Sequence, residues 1–215
     1  REDARTLLTG ARLSIAFALL VAGAAWLLFA DVTFKTIAGA LGGSWVLAGT
    51  LAYVWRQLRE PARRATLTGG RLGMVLAHFG IGVFVIGVLV HESTAVERDL
   101  RMAPGDSLAL RGYDITFVKV EQITGPNFTA DQGVFSIKRD GKELLQLRPA
   151  KRRYAAGGDM MTEADIDAGF TRDLYVSMGE PVGDGGAWAV RVYHKPMVRW
   201  IWLGALFMTL GGFIA

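Results

Sequence analysis

Three apolar runs of about 20 residues constrain the fold of this chain more than any other feature. They cover residues 11–30, 34–55 and 72–90, and a shorter apolar run covers residues 200–215. A helix of about 20 residues rises roughly 30 Å, which is the thickness of the hydrocarbon core of a bilayer. We therefore predict three membrane-spanning helices and a clipped fourth one, and not the buried helices of a soluble protein.

The charges between the runs predict how these helices are oriented. The connection at residues 56–71 holds a single acid, Glu60, against five arginines: Arg56, Arg59, Arg63, Arg64 and Arg71. Short arginine-rich loops stay in the cytoplasm, which places residues 1–10 there as well. The third span then delivers residues 91–199 to the periplasmic side. The net charge of +4 is accordingly interpreted as loop arginines facing membrane lipids, with no nucleic-acid partner.

One ionisable residue, His78, lies well inside the third apolar run, RLGMVLAHFGIGVFVIGVLV. Glycines recur in this run every seven residues, at Gly73, Gly80 and Gly87, so that they share one face of the helix. His78 projects from roughly the opposite face. We expect the glycines to pack on one neighbouring helix and His78 to face another, with Gly82 leaving room for a flat group.

The residues alone leave the role of His78 open. An ionisable side chain at this depth is costly and is often functional. Four roles fit it: a structural hydrogen bond between helices, a proton relay, a quinone contact, or an axial ligand to haem. As an axial ligand, one histidine fills one of the two positions on haem iron, so the second ligand would come from outside this chain.

Residues 91–199 are predicted to be rich in β structure. Six segments alternate in polarity or carry β-branched residues between turn signals: 107–111, 113–123, 133–140, 142–149, 173–180 and 187–195. Asp140-Gly141 predicts a hairpin turn, whereas residues 161–169 predict a short helix or loop with Thr162 as its N-cap. The predicted fold class is an integral membrane α-helical protein with an inserted all-β periplasmic domain, a small barrel or sandwich, with an OB-like form among the alternatives.

No catalytic set is recognisable in the β-rich region. The basic cluster KRRY at residues 151–154 is interpreted as solvated surface, or alternatively as a docking site for an acidic partner or for haem propionates. His91 and His194, at the two ends of the region, are interpreted as interfacial residues. The chain has no cysteine, so it has no disulfide and no CxxCH motif, and a redox function would need a bound cofactor.

Several strings resemble a known family when they are taken together and in order. The chain is similar to the C-terminal part of the CcmF/NrfE-type cytochrome c haem lyase subunits in four strings: GGRLGMVLAHFGIG, KRRYAAGGDMMTEADI, DLYVSMGE and KPMVRWIWLG. The resemblance covers nearly all of the chain from residue 70 onward, and residues 1–60 resemble the preceding spans more loosely.

This resemblance implies a function in the maturation of c-type cytochromes. Such proteins lie in the bacterial inner membrane and attach haem through thioether bonds to apocytochromes c. They also hold a haem b between two helices, with one histidine from each, and His78 stands at the position of the later histidine. The earlier one would lie upstream of Arg1. The implied partners are the haem chaperone CcmE, CcmH, apocytochrome c and quinol as a source of electrons.

Two differences from the family pattern limit which properties of the family we assign to this chain. The tryptophan-rich haem-handling loop of the family has no match here, so we expect this portion alone to lack lyase activity and to belong to a longer protein. His194 stands where the family has an aromatic residue and is given no haem role. A non-redox transporter or assembly scaffold, with a partner-docking β domain and a structural His78, is the alternative. A second intramembrane histidine upstream would favour the lyase.

Overall fold

The computed structural model describes residues 4–28, 33–59, 68–183 and 185–215. These residues form two compact units, one of helices and one of strands, with the strand unit covering Ala95–Lys195. The β structure is thus an insertion between two apolar helices, which confirms the coarse fold prediction. Each unit is described in turn.

The helical unit contains four helices in the described residues: α1 (Ala4–Leu28), α2 (Phe34–Arg59), α3 (Gly69–Thr94) and α4 (Val198–Ile214). Helices α2 and α3 are long and apolar enough to cross a membrane, whereas α4 and the apolar part of α1, Ser14–Ala24, are shorter. Each predicted span overlaps one of these helices, and their crossing of a membrane stays a prediction. Residues 60–67, which are half of the predicted arginine-rich loop at residues 56–71, lie outside the described residues.

Helix α2 begins with a reciprocal cap. The Thr33 hydroxyl accepts a hydrogen bond from the backbone N–H of Thr36 at 3.2 Å, and the Thr36 hydroxyl accepts one from the backbone N–H of Thr33 at 3.4 Å. Two of the unpaired N–H groups of the first turn are satisfied in this way, which sets the start of the helix.

Glycines bring α3 and α4 close together. A Cβ added at Gly80 would lie 2.7 Å from the Gly204 carbonyl oxygen, and one added at Gly87 would lie 3.1 Å from the Ile201 backbone nitrogen. The absence of side chains therefore lets the two backbones approach each other. This is the packing that the seven-residue spacing of glycines in α3 predicts.

The strand unit is a sandwich of two sheets around one core. Its ten strands in the described residues are β1 (Val96–Met102), β2 (Ser107–Leu110), β3 (Tyr113–Thr124), β4 (Phe128–Arg139), β5 (Lys142–Leu147), β6 (Ala150–Tyr154), β7 (Met161–Glu163), β8 (Asp165–Ala168), β9 (Arg172–Val182) and β10 (Ala187–Pro196). One sheet has the order β1-β10-β9-β8; the other has β2-β3-β4-β6-β7, with β5 paired to β4. Of the predicted alternatives the structure is a sandwich, because the strands form two separate sheets and no closed barrel.

The core of the sandwich draws on both sheets. Phe117 and Phe135 stack with their ring centroids 4.5 Å apart, and they pack with Met178, Val190 and other buried apolar side chains of the opposite sheet. Phe117 on β3 and Val190 on β10 alternate with more exposed neighbours, as in half-buried strands, whereas Phe135 on β4 and Met178 on β9 lie within continuous buried runs. At the predicted hairpin turn, Asp140 and Gly141 both have positive φ, 51° and 74°, and the prediction is confirmed.

The prediction of a helix or loop at residues 161–169 is wrong. Residues Met161–Glu163 and Asp165–Ala168 are two short strands, one at an edge of each sheet. Thr162 pairs with Lys151 of β6, and Asp165 pairs with Val176 of β9. The sequence has the polar residues of a capped helix, but pairing with β6 and β9, the strands on either side of this segment in the chain, decides the backbone conformation.

Candidate functional site

His78 lies on α3 at the edge of a pocket between α2 and α3. Its Nδ1 is 2.8 Å from the carbonyl oxygen of Met74, one turn earlier in the same helix. A carbonyl oxygen only accepts hydrogen bonds, so Nδ1 carries the proton and, in the neutral ring, Nε2 carries the lone pair. Nε2 has no hydrogen-bond partner among the described residues. Its lone pair is therefore available to a ligand or a metal ion.

The pocket has a volume of about 350 Å³ and is mainly apolar. Its lining residues are Trp45, Val46, Gly49, Thr50, Tyr53, Met74, Val75 and His78. The residues from α2 repeat every three to four positions, so one face of that helix forms the wall opposite His78.

The pocket is open on one side. His78 is exposed in the described part of the chain and Trp45 is 54% exposed. We expected the glycines of α3 and His78 to face different helices, and α4 packs on the glycine face whereas α2 lies beside His78 and covers it only in part. In the described residues the chain therefore forms one wall beside His78 and does not enclose the ring.

The room in this pocket does not come from Gly82, contrary to the prediction. A Cβ added at Gly82 would collide with the side chain of Leu47 and would lie 3.3 Å from the Gly43 carbonyl oxygen. Gly82 therefore lets α2 and α3 approach each other. Open space lies at Gly49 instead, where an added Cβ has no atom within 4 Å.

A polar pair next to the pocket was missed in the sequence. The Gln57 side-chain amide donates a hydrogen bond to the hydroxyl of Tyr53 at 2.8 Å, and Tyr53 lines the pocket. Gln57 is only 6% exposed, and its Oε1 has no partner in the described part of the chain. The spacing of Trp45, Gly49 and Tyr53 by four residues was the signal that could have identified this face of α2.

The other two histidines lie in different surroundings. Nδ1 of His91 lies 3.0 Å from the carbonyl oxygen of Pro196, a structural contact between the end of α3 and the approach to α4. His194 lies on β10 with its ring centroid 6.2 Å from that of Tyr113. Burial lowers the pKa of His194, and the charges of Arg111 and Arg172 lower it further. Within the described residues no group of three or more metal-ligating side chains occurs, so neither histidine belongs to one.

The cluster at residues 151–154 is a strand and not simply solvated surface. Lys151 is 7% exposed and forms an ion pair with Glu180 at 2.7 Å, and Arg152 lies over the ring of Phe128 at 4.5 Å. The interpretation as solvated surface is therefore wrong for Lys151. The alternative, that the cluster at residues 151–154 docks an acidic partner or haem propionates, stays a prediction.

The chain is similar to proteins of cytochrome c biogenesis. Residues 93–196 match the family described as the CcmF C-terminal beta-sandwich. "Cytochrome c-type biogenesis protein CcmF" from Pseudomonas fluorescens is 46% identical over 205 residues, which are 94% of this chain and 30% of that protein. The protein of the same name from Escherichia coli (strain K12) is 43% identical over 88% of this chain and 29% of its own length.

Similarity extends to a second subfamily and to a solved structure. "Cytochrome c-type biogenesis protein NrfE" from Haemophilus influenzae is 34% identical over 78% of this chain and 25% of its own length. A solved structure described as "Cytochrome c Heme Lyase CcmF" matches with a TM-score of 0.72 and 16% identity, over 100% of this chain and 35% of that one. At this identity the match shows the fold. The chain spans less than a third of the length of these curated relatives.

Proposed function

Because this chain belongs to the CcmF family and corresponds to its C-terminal part, we propose that it contributes to a membrane haem lyase that matures c-type cytochromes. In this proposal His78 provides one axial ligand to a haem b between membrane-spanning helices, and the other axial histidine comes from outside the chain. The β-sandwich lies on the periplasmic side. Acting alone, this portion has no lyase activity.

One observation carries the assignment of His78. Its Nδ1 is committed to the Met74 carbonyl oxygen, which leaves the Nε2 lone pair for a metal ion at the edge of an apolar pocket. Histidines that bind metals usually donate their other ring N–H to a carbonyl or carboxylate oxygen, and this contact fixes the tautomer. The pocket wall of Trp45 and Met74 and the open space at Gly49 suit a flat apolar ring.

If His78 and a second histidine held a haem, the group would supply single-electron transfer, because both ligand positions would be filled by protein and closed to oxygen. The residues of this chain act on the ring nitrogen and on its surroundings. The Met74 carbonyl oxygen keeps the proton of the neutral ring on Nδ1, and the apolar side chains of the pocket wall lie beside Nε2. The unprotonated Nε2 is the atom that would ligate iron.

The order of the elements supports a location of the whole sandwich on one side of the membrane. The β unit begins two residues after α3 ends and its last strand ends two residues before α4 begins. If both helices cross the membrane, the chain leaves the membrane at the end of α3 and re-enters it at the start of α4. Both points are then on the same side, and the sandwich lies on that side. The arginines at residues 56–71 support the cytoplasm as the opposite side. Apocytochrome c, CcmE, CcmH and quinol are the proposed partners, because the resemblance to the family implies them.

The visible spectrum of the full-length protein, purified in detergent, tests the proposal. We expect the His78→Ala variant to lose the spectrum of a six-coordinate haem and most of the bound haem. His91→Ala is the matched control, since it removes a histidine of the same helix with the same type of Nδ1–carbonyl contact and should keep the spectrum. A His78→Ala protein with unchanged haem content and spectrum would refute the ligand assignment. A wild-type protein without haem would favour the non-redox scaffold.

A further inference from the structure

We propose that Tyr53 and Gln57 form a subsite that hydrogen-bonds a carboxylate of the porphyrin held at His78. The inference rests on the proposed function of His78 and adds a contact that orients the ring. Tyr53 lines the same pocket as His78, and Gln57 lies one turn further along the same face of α2. These two polar side chains lie next to a mainly apolar wall.

The hydrogen bond between Gln57 and Tyr53 leaves the O–H of Tyr53 available as a donor. The Tyr53 hydroxyl oxygen accepts from the Gln57 amide at 2.8 Å, so its own O–H can point elsewhere. No acceptor for that proton occurs among the described residues. Because Gln57 is more than nine-tenths buried and unsatisfied at Oε1, it is held in place at a cost in stability. Such a residue is expected where it positions another group, here the hydroxyl of Tyr53.

A carboxylate is the acceptor that fits this donor best. Haem carries two carboxylates on one edge of an otherwise apolar ring, so a pocket for it needs an apolar wall and a polar end. Hydrogen bonds to a charged acceptor are about twice as strong as those between neutral groups. Arg56 follows Tyr53 by three residues on α2 and so lies within about one turn of it. A positive charge this close to Tyr53 favours a negative group at this end of the pocket.

The subsite gives the ring one orientation. With iron at Nε2 of His78 and a carboxylate at Tyr53, rotation of the ring in its plane is restrained by two contacts on two helices. Tyr53 is therefore a positioning residue, and it does not ligate the iron. Removing its hydroxyl should weaken binding of a porphyrin with free carboxylates and leave the axial ligation as it is.

Titration of two porphyrins into the haem-free full-length protein tests this inference. The probes are iron protoporphyrin IX and its dimethyl ester, which lacks the negative charges. Tyr53→Phe should weaken binding of the free acid about tenfold, the scale of one hydrogen bond to a charged group, and change binding of the ester much less. The six-coordinate spectrum should persist in both complexes, and the reduction potential of the bound iron should shift with the free acid only.

Thr209→Val is the matched control. Thr209 lies on α4 and is not among the residues that line the pocket, and its hydroxyl donates to the Ala205 carbonyl oxygen, one turn earlier, at 3.0 Å. We expect wild-type affinity for both porphyrins from this variant. Since Phe is nearly isosteric with Tyr, elution as a single detergent-solubilised species with the wild-type melting temperature confirms that Tyr53→Phe is folded.

The outcomes separate the subsite from the ligand assignment. Wild-type affinity of Tyr53→Phe for the free acid, with the spectrum lost in His78→Ala, would overturn the subsite alone. Equal weakening for the acid and the ester would overturn it as well, because Tyr53 would then only pack on the ring. An unchanged haem spectrum in His78→Ala would overturn the ligand assignment and, with it, the subsite that rests on it.

Discussion

The close contact of α3 and α4 predicts that Gly211→Ala destabilises the helical unit. A Cβ at Gly211 would lie 2.5 Å from the Ala77 backbone nitrogen and 2.6 Å from the Gly73 carbonyl oxygen. Ordinary contacts of a Cβ begin at 3.4 Å. The atoms that would be met belong to the backbone of another helix, so no rotamer change can relieve the overlap and the two helices must separate.

The cost can be compared with the gain from a better helix former. Overpacking of a tight interface costs about 1–3 kcal/mol. Alanine in place of glycine gains up to about 1 kcal/mol in a helix interior, which offsets part of this. We therefore expect a net loss of about 1–2 kcal/mol of unfolding free energy for Gly211→Ala.

Gly212 offers a matched control at the next position of α4. An added Cβ there has no atom within 4 Å, so Gly212→Ala should be neutral or stabilise by up to about 1 kcal/mol. Unfolding of the full-length protein by SDS titration in mixed micelles, followed by circular dichroism, measures both variants. Equal stability of the two variants would refute the reasoning, because the only difference assumed between them is the approach of α3.

Two further predictions concern the β-sandwich. Phe117→Ala should lower its stability by about 3–5 kcal/mol, because Phe117 is fully buried and stacks on Phe135 at 4.5 Å; hydrogen exchange of residues 95–195 measures this, and unchanged protection would contradict the stacked core. The pKa of His194 is lowered by burial and by Arg111 and Arg172, so the unfolded state takes up this proton first as the pH falls below about 6.5. The stability of the sandwich should therefore decrease as the pH is lowered from that value until the pKa of His194 in the folded state is passed. The His194→Gln variant should show a flatter dependence of stability on pH, which hydrogen exchange of both proteins at several pH values measures. An unaltered profile would show that other groups cause it.

The prediction of the fold succeeded where local patterns are strong. Long apolar runs mark α2 and α3, and glycine spacing identifies the face of α3 that packs on α4. The Asp140-Gly141 turn was predicted because these two residue types readily adopt positive φ. Strands β1, β6, β7 and β8 were missed, since they are short or highly charged and form only because partner strands are present.

For the candidate site, the sequence by itself singled out His78, because a histidine within an apolar run stands out chemically. It also placed His78 opposite the glycine face of α3, since that follows from the period of a helix. The Met74 contact, the open space at Gly49 and the Tyr53–Gln57 pair depend on how α2 packs against α3. Such packing is set by side-chain shapes on both helices at once, so only the tertiary structure decided it.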